Sequence, residues 1–158
     1  LIDTAKSRAL QSPWHRVRWR AHNNAIFSIE WVRGRDAMLT GSGDQTCRLW
    51  DMNTEQELLL FRGHSGSIKT VACNPTEPAL FRSGARDGVI VFWDMRVGTM
   101  PISRIDEAHV PKESETEKKK RKRWQPHSVS ALVHLPDGHS LISSGASDGV
   151  VKLWDCRT

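Results

Sequence analysis

Three times in this chain an aspartate precedes a Trp-Asp pair by six residues, and this repeat constrains the fold more than any other feature. The pairs are Trp50-Asp51, Trp93-Asp94 and Trp154-Asp155, and the aspartates before them are Asp44, Asp87 and Asp148. A histidine opens each copy, at His22, His64 and His109. Copies of one segment at regular spacing indicate a fold that stacks a small structural unit repeatedly.

The spacing and the strand pattern of the repeats predict an all-β structure. The first two repeat tryptophans are 43 positions apart, and the last two are 61 apart. A period of about 40–45 residues that ends in Trp-Asp is typical of a four-stranded propeller blade. Short β-rich runs separated by Gly, Pro and Asp turns occur in every copy, and they predict the inner strands at Ile26–Val32, Ile68–Cys73 and Val129–His134. The chain therefore resembles the WD40-repeat family, which implies a β-propeller.

The repeats divide the chain into parts of one partial propeller over residues 1–158. We assign 1–19 to the end of a preceding blade, 20–62 and 63–106 to two repeats, and 107–158 to a third repeat with a basic loop inserted at 110–126. Since propellers close with about four to eight blades, we expect an incomplete arc from a longer protein. In the first inner strand we expect Ile26, Ile29 and Trp31 to be buried.

Each repeat carries four residues that we expect to form one structural hydrogen-bond network. A buried Trp needs an acceptor for its indole N–H, and a hydroxyl lies four residues before each turn aspartate. A chain from Trp to hydroxyl to His to Asp satisfies every member. The predicted tetrads are His22, Thr40, Asp44 and Trp50; His64, Ser83, Asp87 and Trp93; and His109, Ser144, Asp148 and Trp154.

Two alternatives concern these tetrads. His127 competes with His109 for the third tetrad because it lies 21 residues before Asp148, but it is too close to the third inner strand, and we favour His109. The Asp, His and Ser or Thr residues also resemble a hydrolase triad. Their threefold repetition at structural spacing favours a scaffold instead, so we predict that the protein is not an enzyme.

Composition argues against several other classes of protein. The three cysteines have no Cys-x-x-Cys spacing, which argues against a disulfide or zinc framework and for a reducing compartment. No apolar stretch approaches the roughly 18 residues of a spanning helix, and we predict no membrane contact. The chain lacks a nucleotide-binding glycine loop, metal-ligand spacing and a nucleophile motif, so we predict neither cofactor nor metal.

The motif Trp-Asp-x-Arg is the first candidate for function. It comprises Trp93, Asp94 and Arg96 in the second repeat and Trp154, Asp155 and Arg157 in the third. The first repeat has Asn53 in place of the arginine. An arginine just beyond a third strand is expected at one face of the disc, where its planar fork can bind a partner's carboxylate or carbonyl. The alternative is a solvated arginine in a common loop.

The inserted segment is the second candidate for function. It contains six consecutive basic residues, at Lys118, Lys119, Lys120, Arg121, Lys122 and Arg123. The run accounts for much of the net charge of +5. It suits a nuclear localisation signal or a phosphate contact with nucleic acid, and a solvated loop without a partner is the alternative. We expect the loop on the disc face opposite the two arginines.

Several segments together resemble the denticleless family. They are 19–27, 43–46, 69–72, 84–88 and 144–149, with the Lys-rich insertion and both Trp-Asp-x-Arg motifs. The resemblance covers nearly the whole chain and implies a nuclear substrate receptor of a cullin-4 RING ubiquitin ligase, docked on the large damaged-DNA-binding adaptor. It implies recognition of a degron on replication licensing and cell-cycle proteins bound to the sliding clamp on DNA. The alternative is a chromatin- or nucleic-acid-associated scaffold without a ligase role.

Overall fold

The computed structural model describes residues 18–109 and 127–157, and within them every helix or strand element is a β-strand. The strands form three antiparallel sheets in chain order, as expected for successive propeller blades. This arrangement confirms the predicted all-β fold and is consistent with an incomplete propeller. The predicted end of a preceding blade falls largely on residues 1–17, and the basic loop falls on 110–126, so both lie outside the described residues.

The first two blades each contain four strands paired in sequence order. In the first blade the strands are β1 (Ile26–Val32), β2 (Ala37–Ser42), β3 (Thr46–Asp51) and β4 (Glu57–Arg62). In the second blade they are β5 (Ile68–Cys73), β6 (Leu80–Ala85), β7 (Ile90–Asp94) and β8 (Ser103–Ile105). The bounds of β1 and β5 agree with those predicted from the sequence.

The third blade has three strands within the described residues. They are β9 (Val129–His134), β10 (Ser140–Gly145) and β11 (Val151–Asp155). Tight turns join the strands of every blade. Gly88 and Gly149 follow the turn aspartates with φ of +78° and +64°, a left-handed conformation in which glycine carries little strain. Gln45 adopts the same conformation in the first blade, with φ of +70°.

The inner strands β1, β5 and β9 lie side by side and are joined by side-chain hydrogen bonds. The Val71 amide donates to Ser28 Oγ at 3.1 Å, and the Leu132 amide donates to Thr70 Oγ1 at 3.1 Å. The blades also approach closely. A Cβ built on Gly84 falls 2.5 Å from Val129 Cγ1, so a side chain at this position clashes with the next blade. These contacts hold the three blades as one continuous arc.

The hydrophobic core lies in the two seams between the blades. The first seam contains large, fully buried side chains from both of its blades, including Leu39, Phe61, Phe81 and Trp93. The second seam contains Ile90, Val129, Leu132 and Leu141. Packing between neighbouring units is the source of stability in repeat folds, and the burial of these side chains follows that rule.

The predicted buried set on β1 is wrong. Ile26, Ile29 and Trp31 are 40%, 60% and 51% exposed, whereas Val32 is 1% exposed. The reason is that β1 packs on β5 with one face only. Ile29 and Trp31 point to the other side, where the described residues place no neighbouring blade. Val133, Val151 and Leu153 are exposed on the third blade in the same way.

Two further features of the structure concern membrane-spanning helices and the state of the cysteines. Within residues 18–109 and 127–157 there is no helix of the length and apolar character needed to cross a lipid bilayer. The three cysteines of the chain are unpaired thiols. Cys47 is buried in the first seam, and burial raises the pKa of the Cys73 thiol to about 12, so both act as small apolar side chains at neutral pH.

Candidate functional site

The first tetrad is a continuous chain of hydrogen bonds. Trp50 Nε1 donates to Thr40 Oγ1 at 3.1 Å, Thr40 Oγ1 lies 2.7 Å from His22 Nε2, and His22 Nδ1 lies 2.9 Å from Asp44 Oδ2. If Nδ1 carries the imidazole proton, every donor in the chain meets an acceptor. The network connects the segment before β1 to the β2–β3 hairpin and the end of β3.

The second tetrad has the same geometry and is more deeply enclosed. Trp93 Nε1 donates to Ser83 Oγ at 2.8 Å, and Ser83 Oγ lies 2.8 Å from His64 Nε2. His64 Nδ1 lies 3.0 Å from Asp87 Oδ2. Trp93 and Ser83 are both 0% exposed. A serine hydroxyl in this position has no room to meet a substrate.

The third tetrad uses Ser143, and the prediction of Ser144 is wrong. Trp154 Nε1 donates to Ser143 Oγ at 2.7 Å, and His109 Nε2 lies 2.9 Å from the same hydroxyl. His109 Nδ1 completes the chain at 2.6 Å from Asp148 Oδ2. Ser144 instead points to the outer surface, where its hydroxyl lies 3.0 Å from Ser130 Oγ.

The cause of this error is one additional residue in the β10–β11 hairpin. Trp154 pairs with Leu141 across the ladder, 13 positions away, whereas Trp93 pairs with Phe81, 12 positions away. The distance from the turn aspartate to the tryptophan is the same in all repeats. The extra residue therefore lies between the hydroxyl and the aspartate, and a shift of one position moves a strand side chain to the opposite face.

We expect Ser143→Ala to destabilise the protein and Ser144→Ala to have little effect. Ser143 is 1% exposed, and loss of its hydroxyl leaves the Trp154 indole N–H and His109 Nε2 without their hydrogen-bond partner. Leaving buried polar groups unpaired costs about 1–3 kcal/mol, whereas an exposed substitution usually changes stability by about 0.5 kcal/mol or less. Urea unfolding of both variants measures the difference, and equal midpoints would return the tetrad role to Ser144.

His109 also defines where the inserted segment leaves the blade. The His127 amide donates to the His109 carbonyl at 3.3 Å, so the residues that flank the segment meet at one point. His127 is not the tetrad histidine; its Nδ1 lies 3.0 Å from Ser147 Oγ. The structure therefore brings both histidines to the same hairpin but gives only His109 the structural contact with Asp148.

Hydrogen bonds stabilise the charged form of the tetrad aspartates. Burial alone raises the pKa of Asp44, but hydrogen bonds from Thr46, His22 and the Asn23 amide outweigh burial and lower the pKa from 3.8 to about 2. Burial also raises the pKa of Asp87 and Asp148, but hydrogen bonds, first among them those from His64 to Asp87 and from the Val150 amide to Asp148, hold the pKa of both below its ordinary value. These carboxylates are acceptors that fix the turns.

The depressed pKa of Asp44 predicts a loss of stability in acid. A group with a lower pKa in the folded state stabilises the fold above its unfolded pKa, and the contribution disappears as pH falls through the folded value. We therefore expect the melting temperature of the wild-type protein to exceed that of Asp44→Asn at neutral pH, and the two to converge between about pH 4 and pH 2. Thermal melts at stepped pH measure this, and a constant gap would contradict it.

The arginine of the second Trp-Asp-x-Arg motif is held by its own aspartate. Arg96 Nε donates to Asp94 Oδ1 at 2.9 Å, and Arg96 Nη2 donates to Asp94 Oδ2 at 2.7 Å. The Arg96 amide also donates to Asp94 Oδ1 at 2.9 Å. This two-point contact fixes one edge of the guanidinium plane. The side chain remains 56% exposed at the surface.

The third blade repeats the arrangement. Arg157 Nε donates to Asp155 Oδ1 at 2.9 Å and Nη2 donates to Oδ2 at 2.5 Å, with the side chain 67% exposed. This contact lowers the pKa of Asp155 to about 2. In the first blade Asn53 takes the position, and its amide group donates to Asp36 Oδ2 at 3.3 Å. The two arginines therefore share a two-point contact with their own aspartate that the first blade lacks.

Backbone hydrogen bonds place both arginines at the same face of the arc. The residue after each Trp-Asp pair donates its amide to the first hairpin of its own blade: Met95 to Ala79 and Cys156 to His139, at 2.9 and 2.8 Å. The tetrad aspartates and the flanks of the inserted segment lie at the opposite ends of the strands. The described residues thus agree with a two-faced molecule.

Two features of this face have no signal in the sequence motifs. Glu77 from the β5–β6 hairpin places Oε2 3.5 Å from Arg96 Nη2, so a second carboxylate faces that arginine. A cleft of about 200 Å³ opens nearby between the inner strands, lined by Glu30, Cys73 and His134, among others. Burial, and then the charge of Arg82, lower the pKa of His134 to about 4. No cluster within the described residues has the composition and geometry of a metal site.

The comparisons with known proteins agree with this geometry. The model of the WD domain, G-beta repeat family matches residues 14–51, 55–94 and 118–155. Denticleless protein homologs from Danio rerio and Homo sapiens are 42% and 33% identical to the chain, each over 88% of it. Protein lethal(2)denticleless from Drosophila melanogaster is 36% identical over 87% of the chain.

These matches cover 23%, 21% and 20% of the three relatives, so the chain spans about a fifth of the length of the curated proteins it resembles. The family model covers most of the chain, and the similarity to denticleless proteins confirms the resemblance read from the motifs. The chain belongs to the WD40-repeat family, and its repeats are denticleless-like.

Proposed function

We propose that the chain is part of a substrate receptor for a cullin-4 RING ubiquitin ligase and that it binds the damaged-DNA-binding adaptor. The observation that carries the proposal is the pair of exposed arginines, Arg96 and Arg157, fixed in the same way on adjacent blades. A rigid side chain loses little entropy on binding, so two oriented guanidinium groups suit a protein interface. The denticleless-like sequence supports this choice of partner.

The proposed receptor acts without chemistry of its own. The three tetrads contain the residues of a hydrolase triad, but the hydroxyls of Thr40, Ser83 and Ser143 are at most 1% exposed and already hydrogen-bonded. The receptor instead holds a substrate near a ubiquitin-charged enzyme and raises the local concentration. The proposed substrates are replication licensing and cell-cycle proteins that carry a degron and are bound to the sliding clamp on DNA.

The proposed location is the nucleus, and the basic run Lys118–Arg123 supports it. These residues lie outside the described part of the chain, so the proposal rests on their composition. The same run favours a second candidate function, a chromatin- or nucleic-acid-associated scaffold. Salt-titrated binding to duplex DNA separates the candidates, because the scaffold should bind tightly with a steep loss of affinity at high salt.

Affinity purification of the full-length protein from dividing cells tests the proposed function. We expect the adaptor and the cullin to co-purify with it in amounts comparable to the protein itself. The matched control is another tagged WD40-repeat protein that lacks arginine at both motif positions. Absence of the adaptor from the purified complex, with the protein itself recovered and folded, would exclude the receptor role.

A further inference from the structure

We infer that the two motif arginines bind neutral backbone carbonyl groups of the adaptor and not its carboxylates, an inference that rests on the proposed adaptor contact. An isolated arginine accepts either partner. The surroundings of Arg96 and Arg157 favour the neutral partner, because the charge of each guanidinium is already balanced by at least one carboxylate from its own blade.

The charge around Arg96 is already more than balanced. Asp94 binds its Nε and Nη2 at 2.9 and 2.7 Å, and Glu77 lies 3.5 Å from Nη2. Two carboxylates therefore face one guanidinium. A third carboxylate from a partner meets net negative charge at this point, and like charges placed together oppose association. A neutral acceptor meets no such repulsion.

The charge of Arg157 is balanced by one carboxylate of its own blade. Its Nε and Nη2 bind Asp155 at 2.9 and 2.5 Å. Asp155, and then the more distant charge of Asp137, raise the pKa of Arg157. Asp137 belongs to the first hairpin of its blade, as Glu77 does in the second blade. An acid of the first hairpin therefore lies in contact with Arg96 in the second blade, whereas the corresponding acid acts on Arg157 from a greater distance in the third.

The free edge of each guanidinium can donate hydrogen bonds to carbonyl oxygens. Among the described residues, Nη1 of Arg96 and Nη1 of Arg157 have no hydrogen-bond partner. Each Nη1 carries two N–H donors in a plane that the aspartate holds in place. A hydrogen bond from this charged donor to a neutral carbonyl is about twice as strong as one between two neutral groups.

The neighbouring surface also favours a partner with little charge. Val97 follows Arg96 directly and is 71% exposed, and Met100 in the same loop is 75% exposed. Exposed apolar side chains beside fixed donors are typical of the centre of a protein interface. The partner surface that fits is apolar and presents unpaired backbone carbonyls.

A charge-neutral exchange tests this inference in the full-length protein. Asp94→Asn with Arg96→Gln removes the donor edge without changing the net charge, and the introduced asparagine retains a side-chain acceptor for the backbone. We expect the Kd for the purified adaptor to rise about tenfold. The ratio of the variant Kd to the wild-type Kd should be the same at low and high salt. Asp155→Asn with Arg157→Gln repeats the test where the aspartate is 57% exposed and folding is not at risk.

The matched control is Arg104→Gln with Asp106→Asn, the same exchange in an exposed ion pair at the outer strand β8. It should leave the Kd unchanged. If the ratio of the variant Kd to the wild-type Kd falls several-fold at high salt, the partner is a carboxylate and the inference is overturned. Unchanged binding by the motif variants would also overturn it. In both cases the wild-type protein still binds, so the proposed function stands. Failure of the wild-type protein to bind the adaptor removes the proposed function itself.

Discussion

Replacing Trp93 with alanine should unfold the protein more readily than any other single change in these repeats. Trp93 is fully buried in the first seam, where it stacks on Phe81 at 5.8 Å and meets Phe61 edge-on at 5.5 Å. Loss of a buried tryptophan costs about 3–5 kcal/mol, a large part of the stability of an ordinary domain. The change also removes the donor to Ser83.

Urea unfolding of the full-length protein, followed by circular dichroism, measures this loss. Trp93→Phe separates packing from hydrogen bonding, because phenylalanine fills much of the site but cannot donate to Ser83, and it should cost about 1–3 kcal/mol. Leu58→Ala is the control. Leu58 is 49% exposed on β4, so its loss should change stability by about 0.5 kcal/mol or less. Equal midpoints for Trp93→Ala and Leu58→Ala would refute the structural role of the seam.

The double change Arg96→Ala and Arg157→Ala should reduce adaptor affinity by about 100-fold, because interfaces depend on a few residues among which arginine is prominent. Both side chains are more than half exposed in the structure, so their truncation leaves the buried seams intact. The melting temperature should stay close to that of wild type. Quantitative co-purification with the adaptor measures the loss of binding.

Arg104→Ala is the matched control for the double variant. Arg104 is an exposed arginine paired with Asp106, in the same i, i+2 spacing but away from the face that carries Arg96. It should co-purify like wild type. Undiminished co-purification of the double variant would remove both motif arginines from the interface, even if the protein is a ligase receptor by another surface.

The sequence pattern predicted the strands because their signals are local. β1, β5 and β9 follow alternating apolar runs bounded by turn residues, and their bounds agree with the structure. Sequence spacing also predicts the tetrad residues that lie at a fixed distance from a turn. The contact from His109 to Asp148 follows the same logic, although the inserted segment lengthens that repeat.

The errors arose where a property depends on more than one segment. Ser143 replaces Ser144 because an extra residue in one hairpin changes the ladder register without changing the distance from Asp148 to Trp154. Trp31 and Ile29 are apolar at alternate positions, but burial requires a neighbouring blade on that side. No motif reports the pairing of Arg96 with Glu77, because the two residues are neighbours only after the hairpins form.

The contact between the His127 amide and the His109 carbonyl has a consequence for how this lineage can change. Because the flanks of the insertion already meet, new residues added between them do not have to bridge any gap in the ring. The entropy of closing a longer excursion grows only slowly with its length. Residues can therefore be added or replaced at this position while the strand arrangement of the blade is kept.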